Sequence, residues 1–307
     1  MKKLAVIVAI LVVVPAPAAM AAELGELMDG AREANYSAEQ IISCSTPDGV
    51  RDAVVRIKQS GGELRVSSSL SDELEVAVGA GTWSMRRGGE VVSEASVGEG
   101  KTTTEPLYSV EEERSVEYLG RAAMSYLLIR DGTPRAELVF DHETGVLVDA
   151  VTYSIDGDIY CERRFVSLDA GVDTPPAGST TTSGAVSPSV VTESTLPDRV
   201  VGFERLDEYE DEDGVRFAYY SDGFFSFAVF QMPTTVALPE AKSVSFESGT
   251  YQRVFTAGQV TYVWETRDGA AALVGDLPPD LHEAVLAEMP HPHDPGFFRR
   301  VWRSLFG

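Results

Sequence analysis

The chain predicts an α+β fold that is mostly antiparallel β and divided into two parts, and three observations carry that prediction. Asp131-Gly132, Thr144-Gly145 and Asp156-Gly157 fall between segments of alternating apolar residues, at the spacing of about ten residues that marks a meander of hairpins. The hydrophobic rhythm then stops from Ala170 to Pro197, where Pro175-Pro176, Ser179 to Gly184 and Ser187-Pro188-Ser189 form a Ser/Thr/Pro-rich stretch. Such a composition buries too little to offset its ordering entropy and reads as a linker. After the second part's strands, Pro278-Pro279 opens a segment with Leu281, Val285 and Met289 at helical spacing, and proline suits a first helical turn.

In chain order, residues 1–22 read as a secretory signal. Lys2 and Lys3 precede the apolar run Leu4 to Val14, and Ala19-Met20-Ala21 offers small residues for cleavage. That run is shorter than the ~20 residues a membrane span needs, so export of the mature chain is expected rather than an uncleaved anchor. Residues 23–169 form the first part. Leu24, Leu27, Met28 and Ala31 share one helical face, and strands follow Asn35-Tyr36. Strands are expected over Ala122 to Arg130, Arg135 to Phe140, Val146 to Ile155 and Ile159 to Leu168. The Gly- and Ser-rich middle, Asp48 to Val116, is assigned to strands only because the fold must be completed there. Residues 170–195 are the linker and residues 196–290 the second part. Its strands are expected at Tyr220 to Val229, Ser243 to Phe246, Tyr251 to Phe255 and Gln259 to Glu265, with an acidic hairpin loop at Glu208 to Gly214. Residues 291–307 are a basic aromatic tail, in which Phe298, Val301, Trp302 and Leu305 make one helical stripe beside Arg299, Arg300 and Arg303. Such a stripe fits either an interfacial helix or packing on its own domain.

Composition excludes several functions. The formal charge is −23, and loss of Lys2 and Lys3 takes it to −25. A chain this acidic repels phosphate backbones, so nucleic-acid binding is excluded. The two cysteines, Cys44 and Cys161, sit in strand-like segments at opposite ends of the first part. In an oxidising compartment they form either one bridge or two separate buried thiols. No nucleophile elbow, phosphate loop or zinc-protease motif is present. His142 and His282 stand alone, and His291 and His293 lie in a Pro-rich stretch without further soft ligands, so no metal is expected. The acidic run does not match a calcium loop, because Tyr220 falls where the closing Glu belongs. Asp141 and Glu143 belong to a turn rather than to a catalytic carboxylate pair. Asn35-Tyr36-Ser37 matches a glycosylation acceptor, a pattern common by chance. No cofactor and no catalytic activity are expected.

The segment Tyr219-Tyr220-Ser221-Asp222-Gly223-Phe224-Phe225-Ser226-Phe227 resembles the hallmark of the MucB/RseB family of sigma-factor regulatory proteins. Phe140-Asp141-His142-Glu143-Thr144-Gly145, Leu196-Pro197 with Gly202-Phe203, and Val274-Gly275-Asp276-Leu277-Pro278-Pro279 are similar to further motifs of that family. The resemblance implies a LolA-like first domain, a curved antiparallel half-barrel with helices in its concavity, and a smaller α+β second domain. It also implies a periplasmic, non-enzymatic regulator of the envelope stress response. Such a regulator binds the exported part of a membrane-anchored anti-sigma factor and responds to lipid or lipoprotein acyl chains. Some members self-associate. In this sequence Tyr220, Asp222 and Phe224 are the candidate partner-binding residues, with Phe224 either exposed as an anchor or buried in the core. The competing reading is a periplasmic lipid or lipoprotein carrier of LolA type.

Overall fold

The structure is a computed structural model that describes residues 33–293, apart from 69–70, 80–81, 88–89, 97–106, 172–188, 191–193, 211–213, 235–240 and 257. The expected signal sequence, the first helical face and the basic tail from residue 294 onward lie outside the described residues. Two antiparallel sheets account for most of the rest. The first has eleven strands. Six run outward as a meander: β1 (Tyr36–Thr46), β2 (Gly49–Ser60), β3 (Glu63–Ser68), β4 (Ser71–Gly79), β5 (Thr82–Arg87) and β6 (Glu90–Ser96). Five more return as a second meander: β7 (Ser109–Tyr118), β8 (Arg121–Arg130), β9 (Thr133–Asp141), β10 (Leu147–Tyr153) and β11 (Ile159–Ala170). The two meanders join along one seam, where β1 pairs with β11 from Tyr36↔Ala170 to Cys44↔Cys161. The two cysteines are bridged there.

Side-chain alternation explains this sheet's orientation. Tyr126, Leu138 and Ala150 lie in one row across β8, β9 and β10, and all three are buried. The turns follow their sequence signals. Gly132, Gly145 and Gly157 all have positive φ, which glycine adopts without a Cβ clash. Asp141 fixes the β9–β10 turn by accepting the Thr144 amide and hydroxyl on Oδ1, while Arg121 grips it at 2.6 Å. The turn reading of Asp141 therefore holds with an added partner, and Arg121 also reaches Glu143 at 2.9 Å. The Gly- and Ser-rich middle forms β2 to β6. Among the described residues, Glu33 alone is helical in this part.

The second sheet has nine strands, in the order β12 (Ser189–Val190), β14 (Phe203–Glu210), β15 (Arg216–Ser221), β16 (Ser226–Met232), β20 (Ala270–Gly275), β19 (Gln259–Glu265), β18 (Gly249–Thr256) and β17 (Lys242–Phe246). The short β13 (Arg199–Val200) pairs with β14 off this path. A 3-10 turn (Pro279–Leu281) leads into one short helix, α1 (His282–Ala287).

Four expectations need correction. The strand expected over Tyr220 to Val229 is two strands, because the side chain of Asp222 captures the backbone and breaks the ladder between Ser221 and Ser226. The last helix stops at Ala287, with Met289 buried just beyond it. Glu208 to Glu210 belong to β14 and pair with Arg216 to Ala218, so the start of the acidic run is strand. The stretch expected to be linker contributes β12, which pairs with β14 through Ser189↔Glu210 and Val190↔Tyr209. The fold is mostly antiparallel β and not rich in helix.

Candidate functional site at the junction of the two sheets

The two sheets share a single apolar cluster. Tyr108, Tyr126, Leu128, Leu138 and Phe140 of the first part belong to it together with Phe224, Phe225, Phe227, Leu273 and Leu277 of the second. Part of the apolar face of the first sheet thus packs in a core with the second sheet. At the polar positions of this junction, three carboxylates from the second part meet cations and phenols from the first.

Asp222 is the most enclosed of the three, with no exposed surface. Its Oδ1 accepts the backbone N–H groups of Phe224 (3.0 Å) and Phe225 (2.8 Å). Its Oδ2 accepts the Tyr108 hydroxyl and Arg130 Nη1, each at 2.6 Å. Ser221 completes the loop: its hydroxyl donates to Phe225 O and accepts the Gly223 amide. Gly223 has φ +97°, a conformation that a residue with a Cβ adopts only under strain. One side chain therefore shapes the hairpin and fastens it to the other sheet. Burial pushes the Asp222 carboxyl above its ordinary value, against the pull of Tyr108, the Phe224 amide and Arg130. Burial, followed by the charge of Asp222, likewise raises the Tyr108 phenol far beyond its usual range.

Asp276 repeats the arrangement at the end of β20. Tyr160 donates its hydroxyl to Oδ1 and Arg163 donates to Oδ2, both at 2.7 Å. Asp280 takes both terminal nitrogens of Arg135 on one oxygen at 3.2 Å, and the Arg135 guanidinium also lies over the Phe225 ring at 5.8 Å. The Arg135 Nε and the second Asp280 oxygen are buried without a partner. A pair of this kind contributes less net stability than its contacts suggest, because desolvation offsets the attraction. Its value is geometric: leaving one member unpaired costs far more than the pair is worth.

The disulfide lies beside this junction. The β18–β19 turn comes so close that a Cβ on Gly258 would sit 2.8 Å from Ile42 Cγ2 and 3.2 Å from Cys44 Sγ. Only a glycine fits there.

The structure brings the three candidate partner residues together, but inside the molecule. Tyr220 is fully buried, stacked on Phe227 at 4.8 Å, with its hydroxyl on Pro197 O. Phe224 is 7 % exposed and meets Tyr108 edge-on at 5.8 Å. Sequence reasoning missed Tyr108, Arg130, Arg135, Tyr160 and Arg163. The cue available was their setting: arginines and tyrosines in or beside the strands of an otherwise apolar meander. Among the described residues, no group of three or more His, Cys, Asp and Glu could hold a metal ion, and no helix is long and apolar enough to cross a membrane.

No family model matches the chain, and no curated protein sequence matches it. Solved structures do. The complex structure of Pseudomonas aeruginosa MucA/MucB is similar at a TM-score of 0.52 and 18% identity, covering 88% of this chain and 98% of that one. A crystal structure of MucB gives a TM-score of 0.50 at 18% identity, covering 86% and 95%. The chain has the MucB fold across both sheets.

Proposed function

We propose that this chain is an extracytoplasmic regulator that binds the exported segment of a membrane-anchored anti-sigma factor, shields it from proteolysis, and releases it under envelope stress. The observation that carries the reading is the extent of the fold likeness. The MucB structure, solved as a complex with MucA, aligns over 88% of this chain, more than the first sheet alone spans. A simple carrier of LolA type needs only the first sheet. A shared core and three ionic clamps make sense where one partner contacts both sheets held as a unit. On this reading the chain is exported and has no catalytic activity of its own. Acyl chains of a lipid or lipoprotein are the inducing ligand, and self-association is a further property to be measured. Tyr220, Asp222 and Phe224 act from beneath the partner surface by fixing the second sheet's position.

The test is capture from a membrane extract with the purified mature chain as bait. Recovery of a single-span protein encoded beside a sigma factor supports the reading. A chain that brings down only lipid, identified by mass spectrometry, belongs to the carrier class instead.

A further inference from the structure

The segment from Asp276 to His282 carries two of the three junction carboxylates and ends in a buried imidazole. His282 is 5 % exposed and held from both sides. Its Nε2 lies 2.9 Å from the carbonyl of Leu277, and its Nδ1 lies 2.9 Å from the Tyr262 hydroxyl. A carbonyl can only accept, so Nε2 carries the proton and Nδ1 accepts from Tyr262. The neutral imidazole thereby pins Leu277, which lies between Asp276 on Tyr160 and Arg163 and Asp280 on Arg135. Leu277 itself is 1 % exposed.

We propose that His282 is the trigger of an acid-released latch: protonation of its ring frees the Asp276–Leu281 segment and so releases Tyr160, Arg163 and Arg135 on the first sheet. A second ring proton would point at the Tyr262 hydroxyl, which then has to turn and accept. The new charge would also face Arg253 from β18, with the Phe255 ring alongside. Asp280 counts in its favour. Glu283, on the same helix, is turned instead to the Glu247 amide. From the first sheet, Arg135, Arg163 and Tyr160 face the segment across its two carboxylates. Burial is the main cause that lowers His282 to about 4. The closed form therefore binds its proton later than a released, hydrated histidine of about 6.5. Across that window the ratio of closed to open falls by up to tenfold per pH unit as the pH drops. The Asp222 clamp belongs to another loop and has no contact with the imidazole, so it serves as an internal reference.

Hydrogen–deuterium exchange of the full chain from about pH 7.5 to about pH 4.5, corrected for the intrinsic exchange rate, tests the latch. Protection in 276–289 should fall tenfold or more as the pH drops, while 216–222 keeps its protection and far-UV dichroism keeps its β signal. In His282→Gln, whose amide donates to Leu277 O without titrating, the difference between the regions should vanish. In Tyr262→Phe, which takes the donor from Nδ1, the transition should move to higher pH. Equal loss of protection in all regions of the wild type, or no loss at all, overturns the latch. If His282→Gln does not fold, Tyr262→Phe decides, and an unmoved transition overturns the proposal as well.

Discussion

At the scale of single residues, Asp222 shows how one carboxylate serves two levels of structure. It accepts two amides from its own loop and two donors from the opposite sheet. Its replacement by Ala leaves the buried Tyr108 and the partly exposed Arg130 without their shared acceptor and is expected to cost about 3–5 kcal/mol in denaturant unfolding. Asp222→Asn, which keeps an acceptor but no charge, should cost less. Phe224→Ala should also cost about 3–5 kcal/mol, and partner binding should weaken only as the fold does. A variant that melts like the wild type but fails to bind would restore the exposed-anchor reading. The Asp141 carboxyl gives a pH test. Burial raises it, but the hydrogen bonds of Arg121 and Thr144 outweigh that and hold it at about 2. Its folded value lies below its unfolded one, so its contribution is complete above about pH 4 and is lost as the pH falls toward 2. Arg121→Ala should therefore flatten the acid limb of the stability profile measured by thermal melts. The Asp222-Gly223 turn was legible in the sequence. Its partners were not, since Tyr108 and Arg130 lie 114 and 92 residues away, beyond any local periodicity.

Among the elements, the hairpins were the most readable, because each is specified by a turn dipeptide and an alternation within a few residues. Strands β8–β11 follow their Asp-Gly and Thr-Gly signals to within a residue or two, whereas most of β7 falls in the stretch placed by the needs of the fold. The β2–β6 meander carried weaker alternation and was placed by the needs of the fold alone. What local patterns could not tell is which strands meet at the seam, since that pairing is decided by the whole sheet. The seam bridge between Cys44 and Cys161 closes a separation of 117 residues. Changing both cysteines to Ala should lower stability by roughly 2–5 kcal/mol, read from the shift of the urea midpoint at unchanged slope. Gly258→Val should be destabilising as well. Its side chain would press on Ile42 and the bridge, and its φ of +82° suits no β-branched residue.

For the molecule as a whole, the shared core and the three clamps determine how its parts behave when cut. We propose that the stretch 170–195 separates two parts that adhere without a covalent link. Limited proteolysis should cleave there first, and the two fragments should still elute together. They should separate only after Asp222, Asp276 and Asp280 are replaced together. First cleavage inside Ala122 to Val166 would place the boundary elsewhere. The seam has a further consequence during synthesis. β1 is made early, yet the strand it must pair with on one side, β11, follows only after the remainder of both meanders. Until then β1 presents an open ladder edge to anything nearby, including another copy of itself. A chain that ends before Ile159 should therefore form sheet-rich aggregates rather than a smaller soluble protein, and a growing chain has reason to stay unfolded until its second meander has emerged.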